Sequence, residues 1–408
     1  MLREFVGFGA STVANQASRV GSGLAAAAIL GPATWGIWFL LNLIIAYGSL
    51  TQLGALNGMN REVPAALGRG DADGAQSVRR TALGVIVAGT GAASLILLLL
   101  SALAPHLVAP RDMALMLLLL AVHQAYEYAV TTLRATTRFT QLSGLQFLSS
   151  LSYPLLTISG AWFLGLPGFI LGQVLTYALL IATAREHMGV AYVARWDRRQ
   201  ARSLVAIGFP IMLVGLVFAL FATVDRWVVT AFLGTESLGH YSLAIMSLGA
   251  VNLLPQVVSQ QYYPRLAHAW AARSDTSELR RVAARVRNAT LATTLPVVAL
   301  LLLTLPPAVR VFLPEFAPGI PALVITAFVP LVSAPGQGYG GVLHMLNRQS
   351  WLLVAILVSA TLNLGLSITL VAPFGLVGVA AASLASFAFY ALARVVLGAI
   401  ALRREERA

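Results

Sequence analysis

The 408-residue chain contains no cysteine and no lysine, and only 10% of its residues are charged. The absence of cysteine excludes a disulfide framework, a thiolate-ligated metal centre and a thiol nucleophile. An ordinary soluble domain has about 25% charged residues, and a soluble chain of this length could not bury the surface of 58% hydrophobic residues. The composition therefore predicts a membrane protein.

Long runs without charge indicate the membrane-spanning helices, because a charge at the bilayer centre costs about 2.5–3.5 kcal/mol on insertion scales. The longest runs are residues 20–60, 139–184 and 349–393, and turns rich in glycine and proline divide them. A span needs about 20 apolar residues. We predict twelve spans, at residues 6–30, 35–58, 81–105, 112–132, 143–164, 167–184, 204–232, 238–262, 287–312, 319–343, 350–371 and 375–400.

The positions of the 27 arginines support this count, because cytoplasmic segments carry an excess of basic residues. With the N-terminus inside, 23 arginines, including Arg394, fall on the cytoplasmic side, and only Arg111 and Arg310 fall outside. The all-arginine, alanine-rich composition is typical of a high-GC bacterium. We therefore predict a multi-pass protein of the bacterial cytoplasmic membrane with both termini cytoplasmic. The net charge of +12 indicates topology rather than nucleic-acid binding.

Short motifs repeat between the two halves of the chain. Residues 30–36 read LGPATWG, and residues 233–239, which begin 203 positions later, read LGTESLG. A second pair, residues 165–168 and 375–378, is offset by 210 positions. Six helices in each half give both halves the same orientation, which is the parallel repeat of a transporter with a central path. The predicted fold is an all-α polytopic membrane protein with two six-helix lobes, residues 1–203 and 204–408, related by a pseudo-twofold axis.

Polar side chains recur at helical spacing within the predicted spans. Asn15 shares a face of helix 1 with Arg19, while Asn252, Gln256 and Gln260 form a stripe on helix 8. Such residues either line a central cavity or form hydrogen bonds between helices, which are worth about 0.6 kcal/mol on average. Similar sets occur at His123, Glu127 and Thr131 on helix 4 and at Ser359, Asn363 and Ser367 on helix 11.

Charged residues within the spans are functional candidates by default. Arg19 lies near the middle of helix 1, and its guanidinium suits a phosphate or pyrophosphate group through paired hydrogen bonds. The alternative is a structural ion pair with Asp225 or Glu127. Arg226 is a second candidate on helix 7, and its neighbour Asp225 serves either as a proton or sodium site or in a structural salt bridge.

Proline and glycine are concentrated in helix 10, where residues 335–341 read PGQGYGG. In lipid, interrupted backbone is tolerated where protein or a wet cavity satisfies its hydrogen bonds. This segment is therefore a candidate gating hinge.

Several further motifs occur in a specific order along nearly the whole chain. They are Leu30-Gly31-Pro32 with Trp35-Gly36, Leu53-Gly54 followed by Arg61, Gly208-Phe209-Pro210 leading to Asp225-Arg226, Leu233-Gly234 with Leu238 to Ala244, Pro264-Arg265-Leu266, and Asn363 with Pro373, Gly375 and Gly378. This order resembles the Wzx-type polysaccharide flippases of the multidrug/oligosaccharidyl-lipid/polysaccharide (MOP) exporter superfamily.

The resemblance implies two six-helix lobes and a central cavity lined mainly by helices 1, 2, 7 and 8. It also implies movement of undecaprenyl-pyrophosphate-linked oligosaccharide from the inner to the outer leaflet, for polysaccharide biosynthesis, by alternating access. Arg19 and Arg226 correspond to the cavity arginines that hold the pyrophosphate in related flippases. The absence of a thirteenth and fourteenth predicted helix argues against a peptidoglycan-precursor role.

Two other classes remain as alternatives: a cation-coupled drug or small-molecule exporter of the same superfamily, and an integral-membrane glycan polymerase or ligase. Membrane-embedded glycan polymerases and ligases need a large outer loop with acids or histidine, whereas the outer loops predicted for this chain are short. We therefore expect no enzyme and no cofactor or metal. The expected partners are a lipid-linked glycan, membrane lipids and glycan-assembly proteins, without nucleic acid. The candidate substrate-binding residues are Arg19, Asn15, Arg226, Asn252 and Gln256, and the candidate for ion coupling is Asp225.

Overall fold

The computed structural model describes residues 2–103, 110–252, 254–259, 261–262, 266 and 276–406. Within these ranges the regular elements are helical. The α-helices are α1 (Leu2–Gly48), α2 (Ala55–Gly68), α3 (Ala72–Leu103), α4 (Pro110–Ala135), α5 (Phe139–Glu186), α6 (Arg198–Phe221), α7 (Val224–Val251), α8 (Thr276–Phe312), α9 (Ile320–Thr326), α10 (Val329–Met345) and α11 (Gln349–Glu405), and residues 254–259 and 261–262 are also helical. Two 3-10 helices cover Ser49–Gln52 and Pro314–Gly319.

Eight helical stretches among the described residues are long and apolar enough to cross a membrane. This confirms the prediction of an all-α polytopic membrane protein. The stretches are Ser11–Gln52, Ala72–Ser101, Arg111–Ala135, Phe139–Glu186, Arg198–Ser259, Thr276–Phe312, Pro314–Met345 and Gln349–Glu405.

Four glycines with positive φ interrupt four of these stretches. They are Gly31 (φ 71°), Gly165 (φ 65°), Gly234 (φ 82°) and Gly375 (φ 55°). Glycine adopts this conformation without the steric cost that a Cβ imposes, so the helix direction can change there. All four lie in the turns or repeated motifs found in the sequence, so that each of these four stretches contains at least two helical segments. The exact number of membrane crossings stays a prediction.

The break in α5 forms a helical hairpin whose two arms touch through glycine. A Cβ on Gly160 would overlap the carbonyl of Gly168, and a Cβ on Gly168 would overlap the carbonyl of Gly160. Gly378 approaches the carbonyl of Leu370 in the same way within α11. Leu370 and Gly378 stand 210 positions after Gly160 and Gly168. The second sequence repeat therefore marks the same hairpin in α5 and in α11.

The first sequence repeat forms a reciprocal contact. A Cβ on Gly36 would overlap the carbonyl of Thr235, and a Cβ on Gly239 would overlap the carbonyl of Pro32. Pro32 and Thr235 are equivalent positions of the repeat, as are Gly36 and Gly239, because each pair is offset by 203 residues. This exchange of equivalent contacts is what a twofold relation between the two motifs produces.

The helices form two compact units, one of Met1–Leu30 with Leu41–Leu216 and one of Gly31–Leu40 with Val217–Ala408. Most of each predicted lobe falls in one unit. Residues 31–40 belong to the second unit because they pack on the motif at residues 233–239. The predicted boundary between residues 203 and 204 stays a prediction.

The second predicted span, residues 35–58, is not one continuous helix. It passes through the 3-10 helix Ser49–Gln52 and then through Leu53 and Gly54, both with positive φ. The buried amide of Gln124 donates to the carbonyl of Gly48 and to Oγ1 of Thr51. Backbone groups freed from a helix inside a membrane need such protein partners, and Gln124 supplies one in the first unit.

Directly after this break, α2 crosses α6 at backbone contact. A Cβ on Gly54 would approach Gly208, a Cβ on Gly208 would overlap the carbonyl of Gly54, and a Cβ on Gly58 would lie 2.5 Å from the carbonyl oxygen of Leu204. Small residues permit this close approach of helices in membrane proteins. The crossing therefore requires glycine on both helices.

We predict that Gly208→Ala destabilises the protein by about 1–3 kcal/mol, the usual cost of overpacking. The added methyl group must displace the backbone of Gly54, which has no flexible side chain to move. The measurement is the midpoint of thermal unfolding in detergent. Gly215→Ala on the same helix is the matched control, because nothing lies within 4 Å of its Cβ position. Equal midpoints for the two variants would contradict the prediction.

Candidate functional site

Arg19 lies in an aromatic pocket of the first unit, formed by the middle of α1 and both arms of the α5 hairpin. Its guanidinium carbon lies 4.5 Å from the ring centre of Tyr153 and 5.7 Å from that of Tyr177. Its Nη1 donates to the hydroxyl of Tyr177 at 3.2 Å. Tyr126 and His123 of α4 pack against Tyr177, with ring centres 5.1 and 5.2 Å away. The pocket fixes the charge but does not neutralise it.

No carboxylate within the described part of the chain forms an ion pair with Arg19. The alternative of an ion pair with Glu127 is therefore not what the structure shows for this arginine. The ion pairs of the described residues join arginines and glutamates outside the predicted spans; they are Arg280–Glu406, Arg281–Glu278, Arg285–Glu278 and Arg348–Glu405.

Asn15, one turn before Arg19, contributes to the packing of α1 on α5. Its Oδ1 accepts a hydrogen bond from Ser149 at 3.0 Å. Beside it, Ser18 donates to the carbonyl of Ser150 at 2.7 Å, and Ser11 donates to Gln146 at 2.9 Å. These bonds match the interhelical alternative of the sequence analysis and hold α1 at the depth that places Arg19 in its pocket.

Asp225 lies at a helix break that the sequence analysis missed. The predicted span 204–232 is interrupted at Ala222 and Thr223, between the end of α6 and the start of α7. The buried carboxylate of Asp225 accepts hydrogen bonds from the amide of Arg226 at 2.8 Å and from the hydroxyl of Tyr241 at 3.1 Å. An acidic side chain in the first turn of a helix is stabilised by the helix dipole.

The polar residues predicted on the span 350–371, which is part of α11, contact this break. Asn363 is 1% exposed, and its amide donates to the carbonyl of Phe221 at 3.5 Å, the last residue of α6. Ser367 donates to Oδ1 of Asn363 at 3.1 Å. The stripe of polar residues therefore lies inside the second unit, and Asn363 makes a long hydrogen bond to backbone at the break.

Arg226 follows Asp225 on α7, is half-buried and has no ion-pair partner among the residues that the structure describes. Its Nε is buried without a hydrogen-bond partner there. Adjacent residues point about 100° apart on a helix, and the carboxylate of Asp225 is engaged by backbone and by Tyr241. Arg226 therefore forms no ion pair with Asp225, although the two opposite charges are neighbours at the start of α7.

The predicted amide stripe of helix 8 is only partly described. Asn252 ends α7 and is half-buried, and Gln256 is exposed in the helical segment 254–259. Gln260 lies outside the described residues. The structure therefore describes both Asn252 and Gln256 but assigns them no ligand.

The burial of Arg394 was not predicted from the sequence. Its position near the end of the last span placed it among the cytoplasmic arginines, yet the side chain is only 8% exposed and lies inside the second unit. Gly336 in the glycine-rich segment of α10 makes room for it, because a Cβ there would lie 2.8 Å from Nε of Arg394, and Gly340 faces the same side chain with its Cβ position 3.7 Å from Nη1. These glycines thus have a packing role that the sequence interpretation as a hinge did not include.

Three buried or half-buried arginines, Arg19, Arg226 and Arg394, therefore form no ion pair with an acid in the part of the chain that the structure describes. Desolvated guanidinium groups without a counter-charge attract anions, and their planar N–H donors match phosphate oxygens. To predict that Arg394 is buried, one must know which face of α11 packs against α10, and the sequence alone does not give that packing.

A family model described as "Polysaccharide biosynthesis protein" matches residues 27–315 of the chain. Among curated proteins, none matches at a significant level. The matched region includes the repeated motifs at residues 30–36 and 233–239, together with Asp225 and Arg226.

Solved structures with the same fold are transporters of the MOP superfamily. A multidrug resistance MATE family transporter in an inward-facing conformation is 15% identical in sequence and superposes with a TM-score of 0.78. The superposition covers 97% of this chain and 96% of the other. The outward-facing conformation of such a transporter is 14% identical, with a TM-score of 0.70 over 99% and 96%. A MOP superfamily transporter from Pyrococcus furiosus, described as having a binding pocket of reverse polarity, gives the same identity, TM-score and coverage.

At these identities the solved structures establish the fold. They confirm the predicted all-α membrane fold, and the family model confirms the predicted resemblance to polysaccharide biosynthesis proteins.

Proposed function

Because the chain belongs to the polysaccharide biosynthesis protein family, we propose that it is a flippase for lipid-linked oligosaccharide. The cargo is an undecaprenyl-pyrophosphate-linked oligosaccharide, which moves from the cytoplasmic to the outer leaflet as two lobes alternate in access. The observation that carries this proposal is that two arginines within the predicted spans, Arg19 and Arg226, form no ion pair with an acid in the described part of the chain. Among them, Arg19 lies at mid-helix in an aromatic pocket.

The sign of the charges separates this function from its nearest alternative. A site for a cationic drug needs carboxylates that remain free to pair with the cargo. Here Asp225 is bonded to Tyr241 and to backbone, whereas Arg19 and Arg226 have no acid within ion-pair distance among the described residues. An anionic headgroup therefore fits the site better than a cation does.

The chemistry of the cargo requires little more than these groups. The lipid tail stays in the bilayer while the headgroup crosses, so the protein must supply a polar path and a counter-charge for the pyrophosphate. In this proposal Arg19 and Arg226 hold the pyrophosphate. Asn252 and Gln256 provide amide contacts to the headgroup, and Asn15 keeps α1 in register through Ser149. Membrane lipids and glycan-assembly proteins are the other proposed partners.

We expect Arg19→Gln to lower the flipping rate of lipid-linked oligosaccharide at least about tenfold. A charge-assisted hydrogen bond contributes about 1.5–3 kcal/mol, and 1.4 kcal/mol corresponds to a factor of ten. The measurement is the outer-leaflet appearance of lipid-linked oligosaccharide in proteoliposomes.

Two variants control this experiment. Arg19→Lys keeps the charge but not the planar fork and should retain part of the rate, while Arg69→Gln removes an exposed arginine and should retain all of it. A wild-type rate in a folded Arg19→Gln protein would contradict the proposed role of Arg19.

We further propose that Asp225 couples transport to a proton or sodium gradient. Unlike a bulky organic cation, a proton or a sodium ion can share the carboxylate with its present hydrogen-bond donors, and hard cations prefer oxygen ligands. The carboxylate lies at a helix break beside the hydroxyl of Tyr241. A change in the charge of Asp225 would act directly on this junction of α6 and α7.

Asp225→Asn should make the flipping rate insensitive to an imposed ion gradient while the protein stays folded, because the amide oxygen can still accept from the backbone amide of Arg226 and the amide nitrogen can donate to the hydroxyl oxygen of Tyr241. Flipping is measured with and without a sodium or pH gradient. Glu236→Gln, an exposed change on the same helix, is the control. Retention of the full gradient dependence by Asp225→Asn would refute the coupling role.

The proposed orientation places both termini on the cytoplasmic side of the bacterial inner membrane. The chain contains no cysteine, so single cysteines report orientation without background. A membrane-impermeant maleimide should label Arg111→Cys in intact cells but label Arg403→Cys only after the membrane is permeabilised. Both positions are exposed, and the reverse labelling pattern would overturn the orientation.

A further inference from the structure

A cavity of about 350 Å³ lies within the second unit, beside Arg394. Its polar lining consists of Ser259, Gln337, His344, Tyr390 and Arg394. Cavities of this size fall within the range of small-ligand sites, in which a few polar groups fix a ligand among apolar walls. Neither the family match nor the proposed transport path through Arg19 assigns a ligand to it.

The charge of Arg394 is only weakly compensated. Its guanidinium carbon lies 4.4 Å from the ring centre of Tyr390. Its Nη1 lies 3.5 Å from Oε1 of Gln337 and its Nη2 lies 3.4 Å from the carbonyl oxygen of Ser333, both longer than the usual 2.9–3.0 Å. Its Nε has no partner in the described ranges, and neither has the buried hydroxyl of Ser259 in the same lining. A desolvated cation with such long bonds is incompletely satisfied.

Glycine forms one side of the cavity. Gly338, Gly340 and Gly341 belong to its lining, and Gly336 and Gly340 face the Arg394 side chain one helical turn apart. Without Cβ atoms, this side of α10 leaves space both for the guanidinium and for a group bound to it. The glycine-rich sequence thus has a second use besides helix packing.

The cavity lies near a basic end of the second unit. Leu266 and Leu352 in its lining also belong to an apolar cluster with Ala401 and Leu402, next to the end of α11. Ion pairs join this end of α11 to α8 and to the start of α11. Among the described residues, the charged groups here are seven arginines and three glutamates, namely Arg280, Arg281, Arg285, Arg287, Arg348, Arg403, Arg404, Glu278, Glu405 and Glu406. The excess of positive charge draws anions toward the cavity.

We propose that this cavity binds the phosphate or pyrophosphate group of an anionic ligand, with Arg394 as the counter-charge and Gln337, His344 and Ser259 as hydrogen-bonding groups. The guanidinium fork matches phosphate oxygens, and the burial of Arg394 strengthens the pairing. The ligand is either a lipid with a phosphorylated headgroup or the free anion. The site stands apart from the proposed transport function, because it includes neither Arg19 nor Arg226.

The test compares binding of inorganic pyrophosphate, farnesyl pyrophosphate and uncharged farnesol to the purified full-length protein by isothermal titration calorimetry. Gln337→Glu is the decisive variant, because it places a carboxylate where Oε1 already faces Nη1 of Arg394 and so neutralises the arginine without removing it. We expect pyrophosphate binding to weaken at least about tenfold, with a thermal unfolding midpoint equal to or above that of the wild type.

Gln349→Glu is the matched control, since it makes the same charge change at an exposed position of the same unit, and it should bind as the wild type does. Tighter binding of farnesyl pyrophosphate than of inorganic pyrophosphate assigns the site to a lipid headgroup, and equal binding assigns it to the free anion. The proposal is overturned if the wild type binds neither, if Gln337→Glu binds both unchanged, or if Arg19→Gln alone abolishes binding. A failed transport test of Arg19 leaves it unaffected.

Discussion

The constraint on which this structure depends is that backbone groups inside a membrane need hydrogen-bond partners from the protein. Where the helices are continuous, the backbone supplies its own. At the two irregular breaks, buried amide side chains take over: Gln124 bonds to Gly48 before α2, and Asn363 bonds to Phe221 before α7. The polar residues within the spans are therefore divided between those that sustain the fold and those that remain available for function.

Close approach of helices is the second requirement, and glycine provides it. The hairpin contact of Gly160 with Gly168 and the reciprocal contacts of Gly36 and Gly239 bring backbones together without side chains between them. The motifs that repeat in the sequence are the sites of these contacts. A contact between two backbones requires glycine, because any Cβ would overlap the neighbouring chain. The repeated glycine positions in the sequence therefore predict where helices meet.

Charge distribution connects the fold to the proposed transport of an anionic headgroup. The ion pairs of the described residues lie outside the predicted spans. Arg19 contacts two tyrosine rings, Arg394 contacts the ring of Tyr390, Gln337 and backbone, and Arg226 forms no ion pair among the described residues. The sequence identifies Arg19 as a candidate site residue, because it is a charged residue in the middle of an apolar run. Arg394 was missed, since it lies near the end of a span, where arginine is also typical of the membrane surface.

The sequence by itself determined that the chain is an all-helical membrane protein with a repeated arrangement, because bilayer thickness and the cost of buried charge leave a direct record in the order of residues. Only the tertiary structure decided which polar residues are structural. Asn15 bonds to Ser149, Asn363 supports the break before α7, and Gly336 makes room for Arg394. Each of these roles depends on a partner far away in the chain, and helical spacing gives the face of a residue but not the neighbour that the face meets.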